Sequence, residues 1–213
     1  MNPWVDVPSA EPFVLPIDQA AVLGFNRELR QYSNHWIHTG RLPEPRQGPI
    51  DAAIVLLQLN PSYDKNTQTI NLTALEIQDG RAALADEGSE HRCLAEPNTW
   101  WDSAFKTLIA EFGRPRLARR VCSIEYFAYP SLKFGHGDLE LASRSYQTLL
   151  VQQAIKRGAI FIVSKGLSMW VSRVPHLAEL KGKSLFETKN RQRVWITPDN
   201  LSGGTYDVIR SVL

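Results

Sequence analysis

Ala52-Ala53-Ile54-Val55-Leu56-Leu57-Gln58-Leu59-Asn60-Pro61-Ser62-Tyr63 is an apolar run that ends abruptly in a polar turn. A continuous rather than alternating apolar run suits a strand buried on both faces, as in a parallel sheet. The turn then stands at the carboxyl end of the strand, the side on which open parallel sheets bind ligands. Asn60 can position a water or a substrate carbonyl there, and Tyr63 offers a ring for stacking. The same residues also suit a plain strand-ending turn, since Asn and Pro are common turn formers.

Three further strands are predicted at Val121–Tyr126, Ala159–Val163 and Val194–Ile196, each followed by a turn signal. Helical spacing falls over Asp18–Tyr32, with Asp18 as the first-turn cap, and over Trp101–Phe112, Ser145–Arg157, Leu167–Leu180 and Tyr206–Val212. Pro175 breaks the fourth of these. Strands alternating with helices predict a single three-layer α/β domain around a central parallel four-stranded sheet. Residues 1–50 read as a proline-rich arm, a helix and a loop. Residues 64–102 hold eight acidic and three basic residues and read as an acidic insertion after the first strand.

A chain of 213 residues with 43% hydrophobic content builds one sizeable core. The net charge of +2 excludes a strongly cationic nucleic-acid binder but not a local patch. Basic residues gather at 114–120 and 181–193. Cys93 and Cys122 are too few for a disulfide framework. No stretch reaches the roughly 20 apolar residues of a membrane span, and no secretion signal opens the chain. A cytoplasmic protein is expected. No dinucleotide fingerprint, phosphate loop or nucleophile elbow is present, so no cofactor is expected. His35 and His38 lack a third ligand nearby, so no metal is expected either.

Three other segments would meet the first turn at the same end of the sheet. Glu125 lies inside the apolar Ser123–Ser131 stretch, where an unpaired carboxylate is costly; it either pairs with an arginine or faces the site. Phe127 is a core or stacking ring, and Ser131 follows Pro130 in the turn. His136, further on, more often belongs to a solvated loop than to a catalytic set. Lys165, before Gly166, can meet a phosphate or a base edge, or stand in solvent. Thr197, Asn200 and Ser202 precede the last helix, where glycines allow close approach of an anion. Trp100 and Trp101 wall a pocket or divide between core and surface.

The order of these motifs resembles the uracil-DNA glycosylase superfamily and, within it, a divergent bacterial group. Leu59-Asn60-Pro61-Ser62 is similar to the first motif of its mismatch-specific branch, whose asparagine holds the hydrolytic water. Ile160–Gly166 resembles the strand before the last motif, and Thr197–Ser202 stands where that family carries H-P-S or N-P-S. Gln58 replaces the leading glycine, and Thr197 replaces the histidine that serves the leaving base.

The resemblance implies hydrolysis of an N-glycosidic bond in DNA, as in DNA repair. Asn60 would orient water, Tyr63 or Phe127 would stack on the base, and Ser131, Lys165 or Asn200 would bind its edge or a phosphate. Glu125, as a carboxylate, would favour the positive charge that develops on the sugar. The alternative is a non-catalytic nucleic-acid or nucleotide-binding module on the same fold, drawing on the basic segments. A small-molecule hydrolase using the same cleft is a third possibility.

Overall fold

The computed structural model of the protein describes residues 1–30, 33–62, 72–192 and 194–213. The fold is α/β. Strands Arg46–Gln47 (β1), Ile54–Gln58 (β2), Val121–Glu125 (β3), Ile160–Val163 (β4) and Leu185–Glu187 (β5) form one mixed sheet in the order β1-β3-β2-β4-β5. β2 and β4 are parallel, with Ile54 opposite Ile160 and Leu57 opposite Val163. β4 and β5 are also parallel, with Phe161 opposite Leu185 and Val163 opposite Glu187.

The expected sheet of four parallel strands is therefore corrected to five strands in a mixed sheet. Val194–Ile196 is not a strand, because its polar backbone is engaged elsewhere. The Ile196 N–H donates to the Ala104 carbonyl, and the Trp195 carbonyl accepts from the Asn200 side chain. The edge strand is Leu185–Glu187, three residues in a lysine-rich stretch and too short to show a period. β1 carries only Arg46 and Gln47 and has no apolar signal at all. Gly48 follows it at φ 98°, and a Cβ there would lie 2.3 Å from the Val121 carbonyl oxygen. Only glycine allows that approach to β3.

The chain forms two compact units. The first comprises Met1–Arg46, Leu59–Asp86 and Glu125–Leu149; the second comprises Gln47–Gln58, Glu87–Ile124 and Leu150–Leu213. In the second unit, Ile54, Leu56, Ile160 and Ile162 alternate along their strands and so share one sheet face. They pack with Trp101, Phe105 and Leu108 of helix Thr99–Phe112, Leu117 of helix Arg114–Arg120 and Ile209 of helix Thr205–Ser211. Val55, Leu57, Phe161 and Val163 on the opposite face are buried too, which is why these runs are apolar without alternation. Helix Thr99–Phe112 begins two residues before its predicted start because Asn98 caps it, accepting from the Trp101 N–H at 3.3 Å.

In the first unit the proline-rich arm supplies core rather than a loose lead-in. Trp4, Val7, Phe13, Val14 and Leu15 are buried, and the Trp4 ring meets Tyr129 edge-on at 5.7 Å. Helix Gln19–Glu28 follows, but Asp18 does not cap it. The Asp18 carboxylate instead accepts from the Tyr129 hydroxyl at 2.9 Å and from the Ser143 N–H at 3.2 Å. Of the acidic stretch 64–102, residues 64–71 lie outside the described residues, and the remainder divides between the two units. Helix Ala74–Ala85 lies in the first, opened by a capping box between Thr73 and Glu76. Helix Arg92–Ala95 and the start of helix Thr99–Phe112 lie in the second.

Candidate functional site

β2 ends at Gln58 and β3 at Glu125, and the segments that follow belong to the first unit, where backbone bonds join them. The Phe127 N–H donates to the Leu59 carbonyl at 2.9 Å, and the Ser131 N–H donates to the Pro61 carbonyl at 3.2 Å. On the other side, residues 38–45 run against 125–130: His38 N–H to Pro130 O, Glu44 N–H to Ala128 O, and Glu125 N–H to Pro45 O. Three irregular segments are thus laid side by side by main-chain bonds. This is the backbone accounting that buried loops require.

Asn60 lies in one of the two outer segments of this frame, between Leu59 and Pro61, and is half-buried. Its side-chain nitrogen lies 2.8 Å from the Pro61 carbonyl, 2.9 Å from Ser131 Oγ and 3.1 Å from the Ser131 carbonyl. The carbonyls are pure acceptors, and the Ser131 hydroxyl proton is directed to the Lys133 carbonyl at 3.1 Å. All three neighbours therefore demand a donor, which fixes the carboxamide orientation and explains asparagine rather than aspartate at this position. Asn60 Oδ1 accepts no hydrogen bond among the described residues. Ser131 is buried and acts on Asn60, so its hydroxyl is engaged in the frame and not presented to a ligand.

Glu125 does not pair with an arginine among the described residues. It is 7% exposed, and its Oε2 has no hydrogen-bond partner among the described residues. Burial, reinforced by the Glu44 carboxylate, raises its pKa well above the usual range. A group in that state is a neutral acid, a hydrogen-bond donor, and not the carboxylate that would favour a positive sugar. Phe127 is fully buried, with His136 at 3.9 Å and Tyr129 at 5.8 Å between ring centres, so it belongs to core packing. Arg144 stacks over Tyr126 at 4.6 Å nearby. His136 is not the solvated loop histidine of the sequence reading. It is 1% exposed among Phe25, Phe127 and Phe134, and burial first, then Arg144 and His35, lowers its pKa to about 3. Tyr63 lies outside the described residues.

Lys165, Thr197, Asn200 and Ser202 belong to the second unit. Lys165 is exposed ahead of helix Leu167–Arg173. Asn200 is buried and engaged at both ends of its amide: Oδ1 accepts from the Asn190 N–H at 2.8 Å, and Nδ2 donates to the Trp195 carbonyl at 2.9 Å. Thr197 Oγ1 accepts from the Asn200 N–H, and the Ser202 and Thr205 hydroxyls bond each other at 2.7 Å. All three hydroxyl or amide groups build their own loop. Trp101 is core and Trp100 is 46% exposed, so that pair divides between core and surface.

Most of the described basic side chains in the two segments are likewise engaged within the second unit. Arg114 pairs with Asp102 at 2.7 Å and Arg119 with Glu90 at 3.8 Å. Arg116 and Arg120 donate to the backbone oxygens of Leu213 and Val212. Lys181 pairs with Glu187 at 3.0 Å, and Lys189 donates to the Asp199 carbonyl.

No protein family, curated protein or solved structure matches this chain. The site is therefore read from its own geometry. The feature that inspection of the sequence missed is the Ser131–Asn60 contact across 71 positions. Its trace in the sequence is a repeated form, Asn60-Pro61-Ser62 after one strand and Tyr129-Pro130-Ser131 after another.

Proposed function

We propose that the loops Leu59–Ser62 and Phe127–Lys133 form a water-positioning site for hydrolysis of an N-glycosidic bond in DNA, on a fold of the uracil-DNA glycosylase kind. One observation carries the proposal: the Asn60 carboxamide is held by three acceptors on its nitrogen, while its oxygen accepts nothing from the described residues. An acceptor fixed in that way accepts a hydrogen bond from a water and turns the water's lone pair toward the sugar carbon. The oxygen–carbon bond forms as the carbon–nitrogen bond breaks. The bonding pair leaves on the base, which takes up the proton released by water. Preorientation of this kind needs no reorganisation during the reaction, which is where such sites gain their rate. The target nucleotide must first leave the stack.

The test is abasic-site formation on duplex and single-stranded DNA carrying uracil or damaged bases, read as strand breaks after alkali. Wild type is expected to produce breaks and Asn60→Ala is not. No breaks from wild type on any substrate would remove the proposal.

The non-catalytic reading has its own support in the second unit. Thr197, Asn200 and Ser202 are engaged in loop structure, and Thr197 stands where the resembled family carries histidine. On that reading the protein binds nucleic acid or a nucleotide without cleavage, and phosphate-driven binding weakens steeply with salt. The arginines of 114–120 are each bonded to a carboxylate or a backbone oxygen of the same unit, which makes the basic-patch version of this reading the weaker one.

A further inference from the structure

We infer that Ser131, with His35 behind it, is a positioning residue that sets the direction of the Asn60 carboxamide. The inference rests on the reading of Asn60 as the water-holding group. Its geometric content stands apart from any reaction.

The chain of contacts lies wholly within the first unit. Ser131 Oγ accepts from Asn60 Nδ2 at 2.9 Å and donates to the Lys133 carbonyl at 3.1 Å. A hydroxyl has one proton, so donation to Lys133 turns its lone pair toward Asn60. The Lys133 carbonyl also lies 3.1 Å from His35 Nδ1. A carbonyl only accepts, so Nδ1 of His35 carries the proton, and the carbonyl receives two donors. The Lys133 N–H is tied to the Asn34 carbonyl at 2.8 Å, which holds the turn against the 34–35 segment. Gly135 completes the arrangement: a Cβ there would stand 2.2 Å from His35 Nδ1. The ring therefore occupies the space that any other residue at 135 would fill.

Without the Ser131 hydroxyl, Asn60 keeps two carbonyl acceptors but loses the shortest link across the two loops. Its amide then samples other rotamers, and Oδ1 loses its fixed direction. Ser131 touches no reacting atom in this scheme and acts only through Asn60.

The experiment follows the Asn60 side-chain amide protons by nuclear magnetic resonance on asparagine-labelled protein, assigned by their loss in Asn60→Ala. Abasic-site kinetics are run alongside. In Ser131→Ala the exchange of those protons is expected to speed up by about tenfold, the scale of one net hydrogen bond. The turnover rate is expected to fall by up to about 100-fold, the scale of a misplaced reacting group, with KM within twofold. Ser131→Thr, which restores the hydroxyl, is expected to recover both. Gly135→Ala is expected to move both in the same direction as Ser131→Ala. Unchanged amide exchange in folded Ser131→Ala overturns the inference. If Ser131→Ala does not fold, His35→Ala removes the other donor to the Lys133 carbonyl and is read by the same criterion. Faster exchange in a protein whose wild type forms no abasic sites upholds the clamp and removes the hydrolytic reading instead.

Discussion

Two polar turns that look alike in sequence differ in how their side chains are engaged. Asn60-Pro61-Ser62 and Thr197-Pro198-Asp199-Asn200 both follow apolar segments, and both carry an asparagine within two residues of a proline. At the second, the Asn200 amide is engaged at both ends, joining Asn190 to Trp195. At the first, every described contact falls on the Asn60 nitrogen and none on its oxygen. A buried amide with all its bonds made is a structural link. One with its nitrogen fixed and its oxygen left over is equipped to hold something else.

The sharpest way to break this comparison is to truncate both asparagines. Asn60→Ala is expected to lower abasic-site formation by on the order of 100-fold or more, the scale seen when one orienting hydrogen bond is removed. Its midpoint in chemical denaturation should change less, because Asn60 is only half-buried. Asn200→Ala should do the reverse. It leaves the Asn190 N–H and the Trp195 carbonyl without their partner inside the loop, at a cost of about 2 kcal/mol in unfolding free energy. Its activity should fall only as its folded fraction falls. Equal effects of the two substitutions on both measurements would erase the distinction.

Much of the fold was legible because its central strands obey a simple rule. Ile54–Gln58, Val121–Glu125 and Ile160–Val163 were found within a residue or two of the predicted runs, since a strand buried on both faces is apolar throughout. The outer strands were not legible. Arg46–Gln47 has two polar residues, and Leu185–Glu187 has three residues beside lysines, while Val194–Ile196 offered a more apolar but false alternative. Its backbone is taken by Ala104 and Asn200, a tertiary fact that no local pattern carries. The same limit applies to the site. Asn60 was legible as a polar residue at a strand end. Its orientation was not, because it depends on Ser131, 71 positions away, and on Lys133 beyond it. Phe127 and Glu125 show the converse: their residue types suggested stacking and charge, and burial turned one into core and the other into a neutral acid.

Glu125 and His136, both in the first unit, are expected to pull stability in opposite directions with pH, and this is the smallest effect predicted. The folded pKa of Glu125 is raised by burial and by Glu44. The folded state therefore holds a proton that the unfolded chain gives up above its ordinary pKa of 4.5. Its contribution is complete below that value and is lost as pH rises toward the folded pKa. The pKa of His136 is lowered to about 3, chiefly by burial. Its contribution is complete above 6.5 and is lost as pH falls from there toward 3. Glu125→Gln keeps the shape and removes the titration, so its gain in denaturation midpoint over wild type should grow from pH 5 to pH 8. His136→Phe fits a site already lined by Phe25, Phe127 and Phe134, and its gain should grow from pH 7 to pH 4. The pair also separates structure from chemistry. If Glu125 donates its proton to a ligand in the course of the proposed reaction, Glu125→Gln lowers turnover while raising stability. If it is only a buried acid, turnover per folded molecule stays at the wild-type value across the same pH range.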